Sequence, residues 1–503
     1  MRLLSQRRLG DLLFMRAGRV GVVLRPRPML QLAVGLALGI SLTEWFALPV
    51  APPLMLGLTS LIVGLSAPAW AWLAGGIAVG ALRYDLWREP PPALLPPSRV
   101  VLRAVGTLEP TRNGYRLLCA IEQPKCEGFV LVYFRPQVRH LPDYGDLFRA
   151  ELSWRRPPRF ARFNWALYLE RRRVYFIATV FSHRQFEILH SGMGQWQRRF
   201  SEARHSLRQT LRAHLSPDSA ALIEGMLVGA TGDFPPALRE AFHRAGTGHL
   251  LATSGLHVAI LLHAVYLALR WTPVPYGGRM GIVILAAWLY ALLAGLRPSI
   301  VRAAAMATAV LSAPILGREA DSLNALGLAA TIWLLVAPYA IFEVGFQYSF
   351  CAVLFILLFH ARLEGVLCRM VPRKMPLALA CLLQKGVIPL LSITLCAQVG
   401  ISVVQLYHFG YLSLLSPVAN LLSVPLAYPT LVAGFWLWLS QGVGSVLVEW
   451  LSEWHKSIAL VFGQPALPAL RVEHLPAWAA IACYASVLLL APEPPVRVPE
   501  ETP

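Results

Sequence analysis

Charged residues are scarce in this sequence of 503 residues. They make up 14% of the chain, whereas an ordinary soluble protein is about a quarter charged. Hydrophobic residues make up 56%, and the mean hydropathy is +0.54. This composition excludes a water-soluble protein. Apolar runs of about 20 residues, long enough to cross a bilayer, recur along the chain, so we predict a polytopic α-helical membrane protein.

Lysine and cysteine are also rare. The net charge of +18 is carried almost entirely by arginine, because the lysines are Lys125, Lys374, Lys385 and Lys456. A basic chain suits an anionic partner, and charge alone leaves lipid headgroups and nucleic acid open. Among the seven cysteines, Cys119 and Cys126 flank a turn-like stretch between two strand-like runs. A disulfide between them and two unpaired thiols both remain open.

Two catalytic signatures are missing. The sequence has no His-Glu-x-x-His motif, which excludes a membrane protease of the zincin type. None of the lysines has the context of a phosphate-binding loop, which excludes ATP hydrolysis by this chain. We therefore expect no enzymatic activity, no cofactor and no bound metal, and any motor must be a separate protein.

Hydrophobic runs define the two ends of the chain. Residues 1–90 combine a basic N-terminus with apolar runs at Met29–Val50, Leu54–Ser66 and Ala69–Tyr84, which we interpret as retained crossings. Residues 247–491 form the polytopic part, and residues 492–503 form a tail that we expect to be disordered. The predicted spans in the polytopic part are 247–270, 279–296, 299–316, 323–340, 344–361, 377–393, 394–408, 411–427, 428–446 and 476–491.

The segment between these parts has a different character. In residues 91–190, side chains alternate with period two in runs such as Val100–Val105 and Phe129–Phe134, and turn residues separate the runs. This pattern predicts an inserted small all-β domain, an OB-like barrel. Residues 191–246 form an amphipathic helical connector.

Arginine alternates with aromatic residues at the end of the β segment. Arginine binds phosphates and an exposed ring stacks on bases, so the pattern suits a surface for single-stranded nucleic acid. Anionic lipid headgroups with aromatics at the interface explain the same composition equally well. The candidate DNA-binding residues are Arg155, Arg156, Arg159, Arg162, Trp165, Arg171 and Arg172.

Polar residues inside apolar runs are the strongest indicators of function, because they are costly in a membrane. His249, Thr253 and His257 recur every four residues, and in a continuous helix they share one face. Two histidines on one face favour a polar pathway over hydrogen-bonded packing. Arg297 and Arg302 flank the start of a later predicted helix, where a loop with cytoplasmic positive charge is the alternative.

These residues carry a family resemblance. The run His249–Val258 resembles the HLLAISGLHV signature of ComEC-type DNA-internalisation competence proteins. Three further motifs of that family follow in the same order, at Gly295–Ala303, Asp321–Ala325 and Gly345–Phe350. The resemblance covers residues 220–430 and implies a channel in the bacterial inner membrane that passes one DNA strand into the cytoplasm during natural transformation.

The resemblance also implies partners and site residues. The partners are single-stranded DNA, membrane lipid, a cytoplasmic ATP-driven helicase or translocase, and an outer DNA receptor. No His-x-His-x-Asp-His pattern occurs, so we expect the metallo-β-lactamase-like domain of many relatives to be absent, with a separate nuclease as a possible partner. Pathway or helix-contact roles, left open between the two, fall on His249, Ser254, His257, Arg297, Arg302, Asp321, Asn324, Glu343 and Gln347.

Two other classes of function remain open at this stage. Prolines such as Pro298 and Pro417 break helices, and broken helices build the midplane sites of secondary transporters or flippases of small or lipid-linked solutes. A membrane enzyme that uses His249 or His257 is the other class. The basic β domain favours the DNA channel, because a solute carrier does not need it.

Overall fold

A computed structural model describes residues 27–45, 71–88, 92 and 95–489, apart from short gaps at 107, 112, 139–140, 159–163, 193–194, 231, 233, 252, 319, 373–374 and 474. The predicted run Leu54–Ser66 and the predicted tail 492–503 lie outside the described residues. The chain forms two compact units. The first unit contains residues 1–85, 305–421 and 468–503, and the second unit contains residues 86–304 and 422–467.

Most of the described residues are helical. The helices are α1 (Pro28–Trp45), α2 (Ala71–Trp87), α3 (Trp165–Arg171), α4 (Gln195–His214), α5 (Pro217–Val228), α6 (Pro236–Ala245), α7 (Gly255–Arg270), α8 (Tyr276–Leu293), α9 (Pro298–Ile315), α10 (Ser322–Val336), α11 (Val344–Met370), α12 (Leu377–Leu382), α13 (Ile388–Phe409), α14 (Ser416–Leu439), α15 (Ser445–Phe462) and α16 (Ala477–Leu489). Short 3₁₀ turns lie at His183–Gln185, Gly248–Leu250 and Pro338–Phe342, and a π turn at Leu383–Val387 joins α12 to α13.

The strands are β1 (Arg99–Ala104), β2 (Glu109–Thr111), β3 (Gly114–Gln123), β4 (Cys126–Phe134), β5 (Leu147–Glu151), β6 (Ser153–Arg155), β7 (Val174–Val180), β8 (Phe186–His190), β9 (Tyr411–Ser413) and β10 (Ala469–Arg471). The first eight form one sheet in the order β6-β7-β4-β3-β1-β5-β8, with β2 paired to β3. The prediction of an inserted β region is confirmed. Alternating side chains explain it, because they put one set of residues, such as Val100 and Leu102 on β1, into a shared core.

A single residue separates β5 from β6. β5 pairs with β1, and β6 pairs with β7; the one residue between them is the buried Leu152. The extended run 147–155 therefore touches both β1 and β7. Strand β7 in turn runs parallel to β4, and β4 pairs with β3.

Helix α3 covers the outer side of this sheet. Asn164 caps its N-terminus by accepting a hydrogen bond from the Leu167 N–H at 3.0 Å. Leu169 of α3 packs with Leu131 of β4 and Val174 of β7 in a second apolar cluster. The sheet domain is therefore packed on both sides.

The chain is a multi-pass membrane protein, with helices long and apolar enough to cross a bilayer. Among the described residues there are five, at Tyr276–Leu293, Pro298–Ile315, Val344–Met370, Leu377–Phe409 and Ser416–Leu439. Two predicted pairs of spans are wrong. Residues 377–393 and 394–408 lie in one continuous helix that passes through the π turn. Of the predicted pair 411–427 and 428–446, residues 416–439 form the single helix α14, which ends before residue 446. Helix α14 continues through Pro425 and Pro429. A proline inside a helix removes one backbone hydrogen bond but does not force the chain to reverse.

The first unit contains closely packed helices. A Cβ atom added to Gly39 of α1 would overlap the carbonyl oxygen of Ile77, and one added to Gly80 of α2 would overlap that of Leu36. Small residues at such contacts let helix backbones approach each other in a membrane. The α1–α2 pair therefore depends on glycine.

Candidate functional site

The signature motif begins helix α7 in the second unit. Ser254 is the N-cap residue, and its backbone N–H donates to Nδ1 of His257 at 2.9 Å. His249 lies in the separate 3₁₀ turn Gly248–Leu250. The prediction that His249, Thr253 and His257 share one helix face is therefore wrong, because a serine with a capping partner three residues later starts a helix.

His257 and Thr253 keep polar atoms that are buried without a partner. Because Nδ1 of His257 accepts the Ser254 N–H, the neutral ring carries its proton on Nε2. His257 is 1% exposed and Thr253 3%. Among the described residues, neither His257 Nε2 nor Thr253 Oγ1 has a hydrogen-bond partner. Such atoms are rare in folded proteins, so each of these two positions calls for an explanation.

Arg297 reaches the C-terminal end of helix α5. Its Nε donates to the carbonyl oxygen of Val228 at 3.0 Å, where helix carbonyls lack helical partners. Gly229 ends α5 with a φ of 75°, and a Cβ there would lie 2.7 Å from Cδ of Arg297. Gly229 thus provides both the left-handed turn and the room for the arginine side chain.

Two of the family motifs are linked directly. The hydroxyl of Ser299, at the start of α9, donates to the carbonyl oxygen of Thr253 at 2.8 Å. Arg302, one turn further along α9, is buried. The second unit therefore brings the His249–Val258 and Gly295–Ala303 motifs together.

Arg297 also borders a cavity of 180 Å³ in the second unit. Helix α4 supplies Ser201, Arg204, His205 and Arg208, which share one helix face. The remaining lining comes from the β domain, from α5 and the residues after it, and from the α8–α9 connection: Leu108, Glu109, Asp143, Glu224, Val228, Ala230, Ala294, Gly295 and Arg297. The cavity is lined by charge of both signs.

Helix α15 supplies buried polar residues that were not predicted from the sequence. His455 is 1% exposed, and its Nε2 lies 3.2 Å from Oγ1 of Thr430 on α14. Lys456 is also buried and donates to Oγ of Ser219 at 3.0 Å. The spacing of Ser452, His455 and Lys456 along one helix, all three buried, was the signal that would have indicated an inward polar face.

The first unit uses Asp321 and Asn324 for helix contacts. Asp321 caps α10 by accepting the Asn324 N–H at 2.8 Å, and it pairs with Arg27 at 2.9 Å. Oδ1 of Asn324 accepts the backbone N–H of Met29 on α1 at 3.0 Å. These contacts fasten the starts of α1 and α10 to each other.

Gln347 has a similar structural position at the start of α11. Its Nε2 donates to the carbonyl oxygen of Ile341 at 2.9 Å, and its Oε1 lies 2.9 Å from Nε2 of His408 on α13. Glu343 is the N-cap residue of α11. Both residues lie where α11 begins, and Gln347 links this helix to α13.

The candidate DNA-binding residues of the β domain divide into two sets. Arg155 and Arg156 are exposed, whereas Arg171 and Arg172 are half-buried. Trp165 stacks on Tyr168 with ring centroids 5.3 Å apart, and both rings pack against the second apolar cluster. One face of Trp165 is thus already covered. Arg159 and Arg162 lie outside the described residues.

Cys119 is a free thiol, so the disulfide alternative is wrong for this residue. Its backbone is paired with Val130, whereas Cys126 is paired with Ile121. Burial raises the pKa of the Cys119 thiol well above its ordinary value. The side chain of Cys126 lies outside the described residues.

Comparisons with known proteins agree with these motifs. The profile of the competence protein family matches residues 226–494, more than half of the chain. ComE operon protein 3 of Bacillus subtilis (strain 168) is 30% identical over 241 residues, an alignment that spans 47% of this chain and 29% of that relative. No solved structure matches. With its polar motifs inside the matched segment, the chain belongs to the competence protein family and is of the ComEC type.

Proposed function

We propose that this protein is a channel that passes single-stranded DNA across the bacterial inner membrane during natural transformation. The observation that carries the proposal lies in the family segment of the second unit. There Arg297 borders a charge-lined cavity, and His257 and Thr253 hold buried polar atoms without partners in the described part of the chain. A polyanion needs such groups, because it cannot cross lipid without replacement of its hydration.

The β domain is proposed to be an OB-like barrel. The pairing of the run 147–155 with both β1 and β7 supports it, as does the parallel pairing of β4 with β7. Barrels of this kind bind oligonucleotides. The outer side of β4 is occupied by α3, so strand binding is assigned to the arginines at the edge and not to that face.

We assign collection of the strand to the exposed Arg155 and Arg156. Arginine contacts to phosphate give attraction without sequence preference. Half-buried Arg172 lies 4.6 Å over the Tyr168 ring and is assigned a supporting position. Because Trp165 has one covered face, it offers at most one face for base stacking.

The remaining parts of the uptake system are proposed to be separate proteins. A cytoplasmic ATP-driven helicase or translocase pulls the strand, an outer receptor delivers it, and a separate nuclease degrades the other strand. The channel itself is proposed to have no catalytic activity. This division is motivated by the sequence, which has no phosphate-binding loop and no His-x-His-x-Asp-His pattern.

Deletion of the gene is the decisive test of the channel. Labelled double-stranded DNA is supplied to the deletion strain, and label protected inside the cytoplasm is measured. We expect internalised label and transformants to fall to background, and complementation with the full chain to restore both. Normal internalisation in the deletion strain would exclude the channel function.

A second experiment addresses the collecting arginines in the full chain. The double variant Arg155→Gln/Arg156→Gln is compared with Arg318→Gln, a variant at an exposed arginine of the first unit. We expect weaker binding of single-stranded DNA only for the double variant, with a shallower salt dependence. If the double variant instead loses binding to vesicles of anionic lipid and keeps DNA binding, the lipid-headgroup interpretation replaces ours.

A further inference from the structure

We propose that the 180 Å³ cavity of the second unit is a binding site for a backbone phosphodiester of single-stranded DNA, held by Arg204, Arg208 and Arg297. The inference rests on the proposed function and names the group that the channel protein binds at this place. It gives Arg297, which the sequence left between a pathway and a helix contact, a defined ligand.

Helix α4 aims two of the three guanidinium groups at one place. Arg204 and Arg208 are one turn apart and both line the cavity, with Ser201 one turn before them. Arg198 and Arg199, on the same helix, are exposed and are not among the lining residues. Arg204 and Arg208 of α4 therefore contribute positive charge to the cavity, whereas Arg198 and Arg199 contribute it to the exposed surface.

Each of the three guanidinium groups is held in place by a contact that uses only some of its N–H donors. Arg208 pairs with Glu224 at 2.5 Å. Arg204 donates to the carbonyl oxygen of Leu292 at 3.3 Å, and Arg297 to that of Val228 at 3.0 Å. A guanidinium has five N–H donors in a fixed fork, so a positioned arginine can still bind phosphate with two parallel hydrogen bonds.

The balance of charge around the cavity favours an anion. The lining contains Glu109, Asp143 and Glu224 against three arginines. Two further arginines neutralise part of this acid, because Arg116 pairs with Glu109 at 2.7 Å and Arg212 lies 3.9 Å from Glu224. Counted with these two neighbours, which do not line the cavity, five arginines balance three carboxylates. Within the part of the chain that the structure describes, Arg204 and Arg297 donate to backbone carbonyls and to no carboxylate.

Electrostatics support this balance. Burial lowers the pKa of Arg204, Asp143 raises it, and the nearby Arg297 lowers it. Two cations that repel each other in a partly dry site are stabilised by an anion between them. A phosphodiester carries one negative charge and two free oxygens, which suits two guanidinium forks.

The size of the cavity limits the ligand. One water molecule needs a cavity of roughly 10–15 Å³, and this cavity, at 180 Å³, is far larger. It suits one phosphate group with its neighbouring sugar carbons. The neutral lining residues, among them Leu108, Ala230 and Ala294, provide contact surface for those carbons.

The test uses the purified full chain in lipid nanodiscs with a fluorescent single-stranded oligonucleotide. We expect Arg204→Gln/Arg297→Gln to bind about tenfold more weakly, and the slope of log affinity against log salt to fall by about 0.7 for each phosphate that is no longer neutralised. The matched control Arg198→Gln/Arg199→Gln also removes two positive charges, both from α4, at positions that do not line the cavity. We expect it to alter affinity less than threefold.

A second variant has the opposite expected sign. Asp143→Asn removes one carboxylate charge from the lining. Its oxygen still accepts the Tyr144 N–H, and its amide group can donate to Oγ of Ser201. We expect this variant to bind the oligonucleotide about threefold more tightly, a gain that misfolding cannot produce. A photo-crosslinking side chain at Leu108 is expected to label the oligonucleotide more strongly than one at exposed Leu189 of β8.

The outcomes separate the two proposals. If the wild-type chain binds no oligonucleotide and neither position crosslinks, the proposed function itself fails. If the wild type binds but the two cavity variants match it and Leu108 does not crosslink, only the cavity site fails. If the double variant loses retention of phosphatidylglycerol and not of oligonucleotide, the cavity holds a lipid phosphate and the inference is overturned.

Discussion

The two units use the polar residues of the family motifs in different ways. In the first unit, the polar atoms of Asp321, Asn324 and Gln347 form hydrogen bonds at helix ends. In the second unit, His257 keeps a buried nitrogen without a partner among the described residues, and Arg297 borders a cavity. The resemblance leaves both roles open for all of these residues; from this contrast we propose helix-contact roles for Asp321, Asn324 and Gln347, and pathway roles for His257 and Arg297.

This difference shows that a polar residue in a membrane protein is not by itself a pathway residue. Polar groups in lipid must be satisfied, and a helix end can satisfy them as fully as a pore. Substitutions in the first unit are therefore expected to reduce stability. Substitutions in the second unit are expected to reduce DNA uptake more than stability.

The largest expected effect concerns the glycine contact of the first unit. A Cβ on Gly76 would lie 2.6 Å from the carbonyl oxygen of Leu32, whereas a Cβ on the neighbouring Gly75 meets nothing within 4 Å. We expect Gly76→Leu to destabilise the chain by about 3 kcal/mol or more, and Gly75→Leu by less than about 0.5 kcal/mol. Thermal unfolding in detergent measures both. Equal losses would show that α1 and α2 do not pack through this face.

The next effect tests whether His257 is more than a cap. His257→Leu leaves the Ser254 N–H without its acceptor at 2.9 Å, which costs about 1–3 kcal/mol. His257→Asn supplies a side-chain oxygen near the same position, and we expect it to recover most of that stability while DNA uptake stays low. Unfolding and uptake of labelled DNA are measured for both variants. Full uptake in His257→Asn would place His257 with the helix-end residues of the first unit.

A smaller effect is expected at the cap of α10. Asp321→Ala removes the acceptor of the Asn324 N–H and the partner of Arg27. Loss of a capping residue costs about 0.5–2 kcal/mol. We expect DNA uptake per folded molecule to remain at the wild-type level, as quantified from uptake and membrane protein amount. A loss of uptake per molecule would assign Asp321 to the pathway and remove the difference between the units.

The smallest effect is a pH dependence in the second unit. Glu449 accepts hydrogen bonds from the hydroxyls of Ser216 and Ser219, each at 2.6 Å. Burial raises the pKa of Glu449. These hydrogen bonds and the positive charge of Lys456 lower it by more, so the net shift of the pKa is downward.

Because the folded-state pKa lies below the unfolded one, Glu449 stabilises the protein above the unfolded value of about 4.3. This contribution is lost as the pH falls through the folded pKa. We therefore expect Glu449→Gln to be less stable than wild type at pH 7, and the two to converge once the pH has fallen below the folded-state pKa of Glu449. Unfolding at a series of pH values measures the difference. A constant difference across that range would show that the charge of Glu449 is not involved.

The helices and strands followed from local pattern more closely than the site did. The alternation around Val100 and Phe129 predicted strands that β1 and β4 confirm. The start of α7 was predicted too early, because hydrophobicity around Leu250 masked the capping serine at Ser254. The hydrophobic pattern predicts two spans at 411–427 and 428–446, whereas one helix continues through Pro425 and Pro429.

The sequence alone determined that the protein is an integral membrane protein, that the chain contains an inserted β domain, and that the protein resembles the ComEC type. These properties depend on composition, period and residue order, which are local and additive. Only the tertiary structure decided which polar residues cap helices and which border a cavity. That choice depends on what lies opposite a side chain, as Val228 lies opposite Arg297 across 69 residues of chain, and no local pattern records such a distant neighbour.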